Sequence, residues 1–353
     1  MLRILSFLFA CFLLACAAEL PPHPPQVQIP ETVKDLSVNQ VGNAWVVSFT
    51  RPRKAVDGRR LTKPVEARLF RLASGSGGPA PKILPSTRPW VTFEPEELAA
   101  LARSNKVVDH IPLSAQDFSA ELGETLTFAV ETLTRGFRGR PRVSPPSNLV
   151  SRRLLDVPDP ASQVRVIPTE KALEVEWAAP SSNVSGHQTL RPMAYRVYRS
   201  DSGKPSSFLL RGEADSSPYF DSDFQFGHHY FYRVRAVVRE GGAEAESDDS
   251  AVATITPRDT FPPQPPRGLR ALSTGTASEL VWNPNSETDL AGYNVYRRKG
   301  DGAPERLNHQ LVQTPVFSDS SAKGASGYTY WVTAVDLAGN ESQPSAPVEV
   351  RAE

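Results

Sequence analysis

Cysteine is almost absent from this chain. Two of its 353 residues are cysteines, and both lie close to the N-terminus, at Cys11 and Cys16. The rest of the chain has no disulfide framework, so its folded parts depend on hydrophobic cores that are stable without one. The hydrophobic content of 39% is sufficient for such cores.

An excess of charge of one sign is also missing. Lys and Arg together number 39, as do Asp and Glu, which gives a formal net charge of zero. A protein that binds nucleic acid typically has a basic excess on one face. We therefore expect no nucleic-acid partner.

Motifs for catalysis and for cofactor binding are absent from the sequence as well. It has no Gly-x-Ser-x-Gly elbow, phosphate-binding loop or dinucleotide fingerprint. The adjacent His228 and His229 would point to opposite faces of a strand and could not easily share one ion. The carboxylates are scattered in predicted turns, as at Asp221, Asp319 and Asp336. The sequence therefore predicts no catalytic residue, no metal site and no cofactor.

Long apolar runs are limited to the N-terminus. The stretch from Ile4 to Leu14 follows Arg3 and has the length of the apolar region of a signal peptide. It is shorter than the roughly 20 residues that a membrane span needs. Its end, the sequence Leu-Leu-Ala-Cys up to Cys16, resembles a bacterial lipobox. An ordinary cleavage after Ala18, which would leave no anchor, is the alternative.

The lipobox resemblance implies that the signal peptide covers residues 1–15 and that Cys16 carries a diacylglyceryl group and an N-acyl chain. Those chains are sufficient for stable membrane anchoring. The residues after the cysteine, Ala17 and Ala18, favour the outer membrane by analogy with other lipoproteins. We therefore expect an exported protein held in the bacterial cell envelope, with the membrane as a partner through its lipid anchor.

The chain does contain a sequence pattern that occurs twice, about a hundred residues apart. Each copy has a tryptophan strand, then a Tyr-x-Val-Tyr-Arg strand, then a Tyr-x-Tyr-x-Val-x-Ala-Val strand. The first copy contains Trp177 and the segment 230–237, and the second contains Trp282 and the segment 328–335. Repetition at this spacing predicts tandem domains, and alternation with a period of two predicts an all-β fold.

These residues resemble fibronectin type III modules. The resemblance implies immunoglobulin-like β-sandwiches of seven short strands, and it implies binding, spacing or scaffolding more than catalysis. Tyr230 and Tyr328 match the tyrosine corner, in which the hydroxyl bonds to nearby backbone. We interpret both as structural corner residues.

The N-terminal part of the chain matches the pattern less well. Trp45 and the segments 66–73 and 126–136 copy the strands, but Leu126 takes the place of the corner tyrosine. The segment 96–103 has helix-forming composition after a proline. We therefore predict a divergent module with an inserted loop and a short helix.

Proline clusters mark the predicted domain boundaries. The interpretation gives a Pro-rich linker at 16–33, a divergent fibronectin type III-like domain at 34–154, and two fibronectin type III domains at 155–257 and 258–353.

One predicted surface is rich in aromatic side chains. If Tyr330 and Val332 face the core of the last domain, Trp331 faces outward, beside Tyr296 on a neighbouring strand. Such a patch could stack on sugar rings or bind a partner. Cross-strand pairing that stabilises the sheet is the alternative.

The sequence therefore favours a non-catalytic, lipid-anchored array for protein binding, adhesion or scaffolding. One alternative is a carbohydrate-binding or spacer accessory to polysaccharide-active enzymes. The other is an enzyme with its site in the divergent first domain. The expected partner is an unidentified envelope protein or polysaccharide.

We predict that Cys16→Ala releases the protein from the envelope or leaves its precursor unprocessed, because the lipid attachment point is removed. Fractionation of cells into membrane and soluble material, with a size measurement, checks this. Cys11→Ala, inside the apolar stretch, is the matched control and should have no effect. A mature-length Cys16→Ala protein that stays with membranes would contradict the prediction.

Overall fold

The computed structural model describes residues 27–74, 86–188, 194–322 and 327–350. The predicted signal peptide, Cys16 and most of the predicted linker lie outside these residues. Within them, the chain forms β-strands with two short α-helices, and none of its helices is long and apolar enough to cross a membrane. The described chain divides into two compact units, one of residues up to 156 with 239–245, the other of residues 157–238 with 246 onwards.

The elements up to residue 156 build one sandwich. In chain order they are β1 Ser37–Val41, β2 Ala44–Thr50, β3 Val65–Ser74, β4 Val91–Phe93, α1 Pro95–Leu101, β5 Ala102–Arg103, β6 Lys106–Pro112, α2 Ala115–Glu121, β7 Thr125–Arg135, β8 Pro141–Val143 and β9 Val150–Arg153.

One sheet of this sandwich has the order β1-β2-β6-β5, and the other has β4-β3-β7 with β8 and β9 both paired to β7. The core between them contains Trp45, which is fully buried and lies 5.0 Å from the ring of Phe128. The predicted helix is α1, which buries Leu98. The second helix, α2, was not predicted, although Ser114 caps it by accepting a hydrogen bond from the Asp117 N–H.

The first unit includes residues that the sequence analysis assigned to the linker. Gln28, Pro30 and Val33 are buried, and Pro30 forms a β-bridge with Ala55. Besides prolines, this part of the chain has polar and apolar side chains that can pack against the sandwich, so these residues join it. The compact structure therefore starts before residue 34.

The strands after residue 156 repeat one arrangement. In chain order they are β10 Ser162–Pro168, β11 Leu173–Ala178, β12 Ala194–Ser200, β13 Leu209–Ala214, β14 Tyr219–Asp221, β15 Tyr230–Glu240, β16 Ala243–Glu246, β17 Ala253–Ile255, β18 Arg267–Ser273, β19 Ser278–Asn283, β20 Leu290–Lys299, β21 Glu305–Arg306, β22 Val316–Asp319, β23 Tyr328–Asp336 and β24 Val348–Val350.

These strands form two sandwiches of three-stranded and four-stranded sheets. The second sandwich packs β10-β11-β14 against a sheet that contains β13-β12-β15 and β17, and the third packs β18-β19-β22 against β21-β20-β23-β24. A tryptophan on the second strand lies in each core, with Trp177 5.1 Å from Tyr195 and Trp282 5.2 Å from Tyr293. The fold is that of tandem fibronectin type III sandwiches, the first divergent.

A buried carboxylate joins three strands in each of these two sandwiches. Asp319, at the end of β22, accepts hydrogen bonds from the Tyr330 hydroxyl at 2.8 Å and from the Arg297 guanidinium at 2.7 Å. In the second sandwich, Asp221 accepts the equivalent hydrogen bonds from the Tyr232 hydroxyl at 2.8 Å and from the Arg199 guanidinium at 2.8 Å. The prediction that both aspartates lie in turns is wrong, because they are the last residues of β14 and β22 and are buried.

A Ser-x-x-Ser segment recurs after the long strand of each sandwich. In the third sandwich, Ser342 and Ser345 accept hydrogen bonds through their hydroxyls from the N–H groups of Ala334 and Val332, at 2.9 and 3.1 Å. The same pairs of bonds occur in the other sandwiches, at Ser144 and Ser147 and at Ser247 and Ser250. Side-chain oxygens therefore satisfy strand N–H groups that a longer neighbouring strand would otherwise pair.

We predict that Asp319→Asn destabilises the third sandwich by roughly 2–4 kcal/mol, because Tyr330 and Arg297 lose a buried charged acceptor. Burial raises the pKa of Asp319, but bonds from Ser321, Tyr330 and Arg297 outweigh it and hold this pKa below its usual value. A lowered folded-state pKa stabilises the fold above the unfolded value of about 4 and loses that effect as the pH falls through the folded value. The difference between wild type and variant should therefore shrink towards pH 2.

Denaturant unfolding at pH 7, 4 and 2, followed by tryptophan fluorescence, checks this. Asp301→Asn is the matched control, since Asp301 is exposed in the turn after β20. Equal unfolding midpoints for Asp319→Asn and the control at pH 7 would show that the buried carboxylate has no structural role.

Candidate functional site

Tyr296 and Trp331 lie directly opposite each other on the outer face of the third sandwich. Tyr296 is on β20 and Trp331 on β23, and the strand register pairs them. Their ring centroids are 5.8 Å apart and their planes differ by 5°, so the rings are stacked. Both are half-buried, whereas the neighbouring Tyr330 and Val332 are fully buried in the core.

A carboxylate fixes one ring of this pair. Glu341 accepts hydrogen bonds from the Tyr296 hydroxyl at 2.7 Å, from the Asn294 amide at 3.1 Å and from the Thr333 hydroxyl. Burial raises the pKa of Glu341, but these bonds outweigh it and lower the pKa overall. Burial and the neighbouring Glu341 raise the pKa of Tyr296. The tyrosine therefore remains a neutral donor, and its ring is held against the indole.

The second sandwich uses the same positions for different chemistry. Tyr198 faces Arg233 across the strands, so an arginine stands where the third sandwich has Trp331. The Tyr198 hydroxyl donates to Glu246 at 2.9 Å, and the guanidinium groups of Arg233 and Arg235 lie 5.5 and 5.2 Å from its ring. Phe231, two residues before Arg233 on β15, packs edge-on against the ring of His229.

The acidic segment after β15 is not a free loop. Glu246 is half-buried and bonds to Arg196 and to Arg235, the latter at 2.9 Å. Asp249 bonds to Arg233 and Arg235. Arginines of β12 and β15 therefore neutralise these acids.

The two tyrosines that were predicted to be corner residues differ. Tyr230 is buried, and its hydroxyl accepts a hydrogen bond from the Gln225 N–H at 2.9 Å, which is the arrangement of a tyrosine corner. Tyr328 is half-buried, with the Arg297 guanidinium 4.6 Å from its ring. The position five residues before Tyr328, which corresponds to Gln225, lies outside the described residues.

Three carboxylates approach one another in the second unit. Asp259, Asp289 and Asp336 each offer an oxygen within 4.8 Å of the others, close enough for them to hold one metal ion. Both oxygens of Asp336 accept hydrogen bonds from Asn340, at 2.8 Å each. No metal site was predicted from the sequence, and this grouping was missed because Asp259 and Asp289 lie in separate loops and Asp336 is the last residue of β23.

Sequence reasoning also missed the two glutamates beneath the outer faces. Glu246 and Glu341 each precede the first serine of a Ser-x-x-Ser segment. The repeated Glu-Ser-x-x-Ser pattern was a signal that could have shown their equivalent positions. Cys16, the predicted lipidation site, lies outside the described residues.

Comparisons with known proteins add partial similarities. No protein-family model matches the chain. Exoglucanase B of Cellulomonas fimi is 28% identical over 244 residues, which cover 65% of this chain and 21% of that protein. Amylopullulanase of Thermoanaerobacter thermohydrosulfuricus is 33% identical over 131 residues, which cover 36% of this chain and 8% of that protein. The chain therefore spans about a fifth or less of the length of these curated relatives.

A solved structure aligns with most of the chain. It contains the FN1–FN3 domains of chicken CNTN1, is 12% identical, and covers 92% of this chain and 99% of its own, with a TM-score of 0.27. The fold assignment rests on the strand order and cores described above.

We predict that Trp331→Ala lowers the stability of the third sandwich by roughly 1–3 kcal/mol, because the stacked pair and its partly buried area are lost. Urea unfolding of the purified chain measures this. Trp331→Phe should recover most of the loss, and Leu337→Ala, at a residue 77% exposed in the same sandwich, should have little effect. An unchanged midpoint in Trp331→Ala would mean that the indole has no structural role and is available to a ligand.

Proposed function

We propose that this chain is a non-catalytic array that spaces and scaffolds other components in the bacterial cell envelope, as an accessory to polysaccharide-active enzymes. We further propose that Cys16 carries the lipid that anchors it there. The array and the partial similarity to an exoglucanase and an amylopullulanase support the accessory role.

The observation that carries the proposal is that acidic side chains in the second and third sandwiches form hydrogen bonds that link their strands. Asp221 and Asp319 are buried and bonded to tyrosine and arginine. Beneath the outer faces, Glu246 is bonded to Tyr198 and Arg235, and Glu341 is bonded to Tyr296, Asn294 and Thr333. Glycoside hydrolysis by the usual route needs two carboxyl groups on either side of a bound sugar. Acids held in these bonds support the fold and are poorly placed for that chemistry.

A sugar contact is the second candidate function, and the stacked pair on the third sandwich favours it. Tyr296 and Trp331 are only partly buried, and aromatic faces stack on sugar rings. The hydroxyl of Tyr296 is already bonded to Glu341, so recognition here would rely on the indole.

We predict that the purified chain releases no soluble sugar from cellulose or starch and is not retained on either polymer, as expected for a spacer. Reducing-end measurements and a pull-down with the insoluble polymers check the two parts. Sugar release that is abolished by substitution of a carboxylate in the first sandwich would overturn the non-catalytic proposal.

Retention on a polymer would decide between the two candidates. If Trp331→Ala abolishes retention while Phe220→Ala does not, the sugar contact is correct, since Phe220 is an aromatic residue 56% exposed on the second sandwich. Cross-linking in intact envelopes, followed by mass spectrometry, tests the scaffold role. The expected adduct is a polysaccharide-active enzyme, and adducts with unrelated proteins alone would contradict it.

A further inference from the structure

One end of the first sandwich concentrates positive charge that the composition of the whole chain conceals. The segments 51–65 and 135–143 together contain ten Arg or Lys residues and one Asp, which leaves 29 cations against 38 carboxylates elsewhere. The zero net charge is therefore an average over unequal parts. The sequence analysis missed this face because the two segments are 70 residues apart.

Strand pairing brings the two basic segments to the same end of the sheet. β3 and β7 are antiparallel, and Val65 at the start of β3 pairs with Thr134 near the end of β7. The chain therefore enters β3 and leaves β7 at one end of the sheet. Residues 51–64 precede that entry, and residues 136–142 follow that exit.

Each basic segment lines a shallow cleft at this end. The first cleft has a volume of about 320 Å³, and its cationic lining residues are Arg51, Arg53, Arg60 and Lys63. The second, of about 310 Å³, is lined by Gly136, Phe137, Arg138, Arg140 and Arg142. No carboxylate lines either cleft. Both are therefore suited to negatively charged groups.

The nearby acids neutralise only part of this charge. Asp57 lies 4.0 Å from Arg59, and Glu66 is buried, where it binds Arg68 and Arg135. Arg60 and Lys63 are exposed, and within the described residues neither forms an ion pair. Unpaired exposed cations give this face an excess of positive potential.

An apolar side chain stands among these cations. Phe137 is 79% exposed at the tip of the turn between β7 and β8, and the Arg138 guanidinium lies 5.2 Å from its ring. An exposed aromatic ring beside arginines fits the boundary between lipid headgroups and acyl chains, where aromatic side chains are enriched.

The described chain begins at the same end. The Gln28 side chain accepts a hydrogen bond from the Thr62 N–H at 3.0 Å, and the Ile29 carbonyl accepts one from the Val56 N–H at 2.9 Å. Ten residues lie between Cys16 and Val27, and the fully extended chain from one to the other spans at most roughly 40 Å. An anchor on Cys16 would therefore keep this end close to the membrane.

We propose that the basic end of the first sandwich, with Phe137 at its tip, is a contact surface for the anionic phospholipid headgroups of a bilayer. The orientation of this end towards the membrane rests on the proposed lipid anchor, but its affinity for anionic lipid does not. The contact would hold the first sandwich against the bilayer surface.

Vesicle flotation tests this with the unacylated chain from Leu20 onwards, which keeps every described residue. The chain should bind vesicles of phosphatidylglycerol and phosphatidylcholine but not vesicles of phosphatidylcholine alone, and binding should weaken as salt rises. The double variant Arg60→Ser, Lys63→Ser should bind at least tenfold more weakly, since each basic residue near an anionic surface contributes roughly a fivefold gain. Phe137→Ser should also weaken binding.

The matched control is Arg258→Ser with Arg270→Ser, which removes two exposed arginines of the second unit and should leave binding unchanged. Thermal unfolding establishes that each variant is folded, and the salt dependence of the wild-type chain tests the contact without any variant.

Equal binding to uncharged vesicles, or equal losses in the control, would overturn the proposal. Full competition by soluble DNA or polygalacturonate at equal charge would overturn it too, because it would show a general polyanion site. Because the flotation experiment uses the unacylated chain, its result does not depend on whether Cys16→Ala releases the protein from the envelope of cells.

Discussion

A carboxylate that is buried with a tyrosine and an arginine is the constraint on which the second and third sandwiches depend. Asp319 lies on the three-stranded sheet, while Tyr330 and Arg297 lie on the four-stranded sheet opposite. Hydrophobic packing between two sheets has no direction, so it leaves their relative sliding weakly determined. A charged acceptor with two donors is directional, and removal of either side leaves a buried group unsatisfied. The hydrogen bonds to the buried carboxylate therefore fix one position of the two sheets relative to each other.

The outer faces show how this framework is reused. A tyrosine bonded to a glutamate occurs on both sandwiches, but the residue across from it is Trp331 in one and Arg233 in the other. The inward-facing residues are of the same types in both sandwiches, because they form the core and the hydrogen bonds to the buried aspartate. The outward position varies freely, so each sandwich can present a different surface without a change in its fold.

The strand framework could be predicted from the sequence because its signal is local. Tyr328 to Val335 alternates within one strand, and no distant residue is needed to see which side faces the core. The polar ties could not be predicted, because their partners lie 22 residues apart for Arg297 and Asp319 and 45 apart for Tyr296 and Glu341. The same reason hid the basic end, which arises only when β3 pairs with β7. The position of Trp331 beside Tyr296 could be predicted from alternation together with strand pairing, but the stacking of the two rings could not.

The serine hydroxyls that bond to the long strands have a consequence for neighbouring repeats. They leave β17 and β24 only three residues long at the sheet edges. Open strand edges are templates for aggregation, and similar repeats joined in one chain are prone to exchange strands while they fold. The N–H groups of β15 and β23 that these short strands leave unpaired are bonded to serine hydroxyls of the segment that follows, so they offer little to an exchanging strand. Tandem sandwiches of similar sequence can therefore fold side by side with less risk of misassembly.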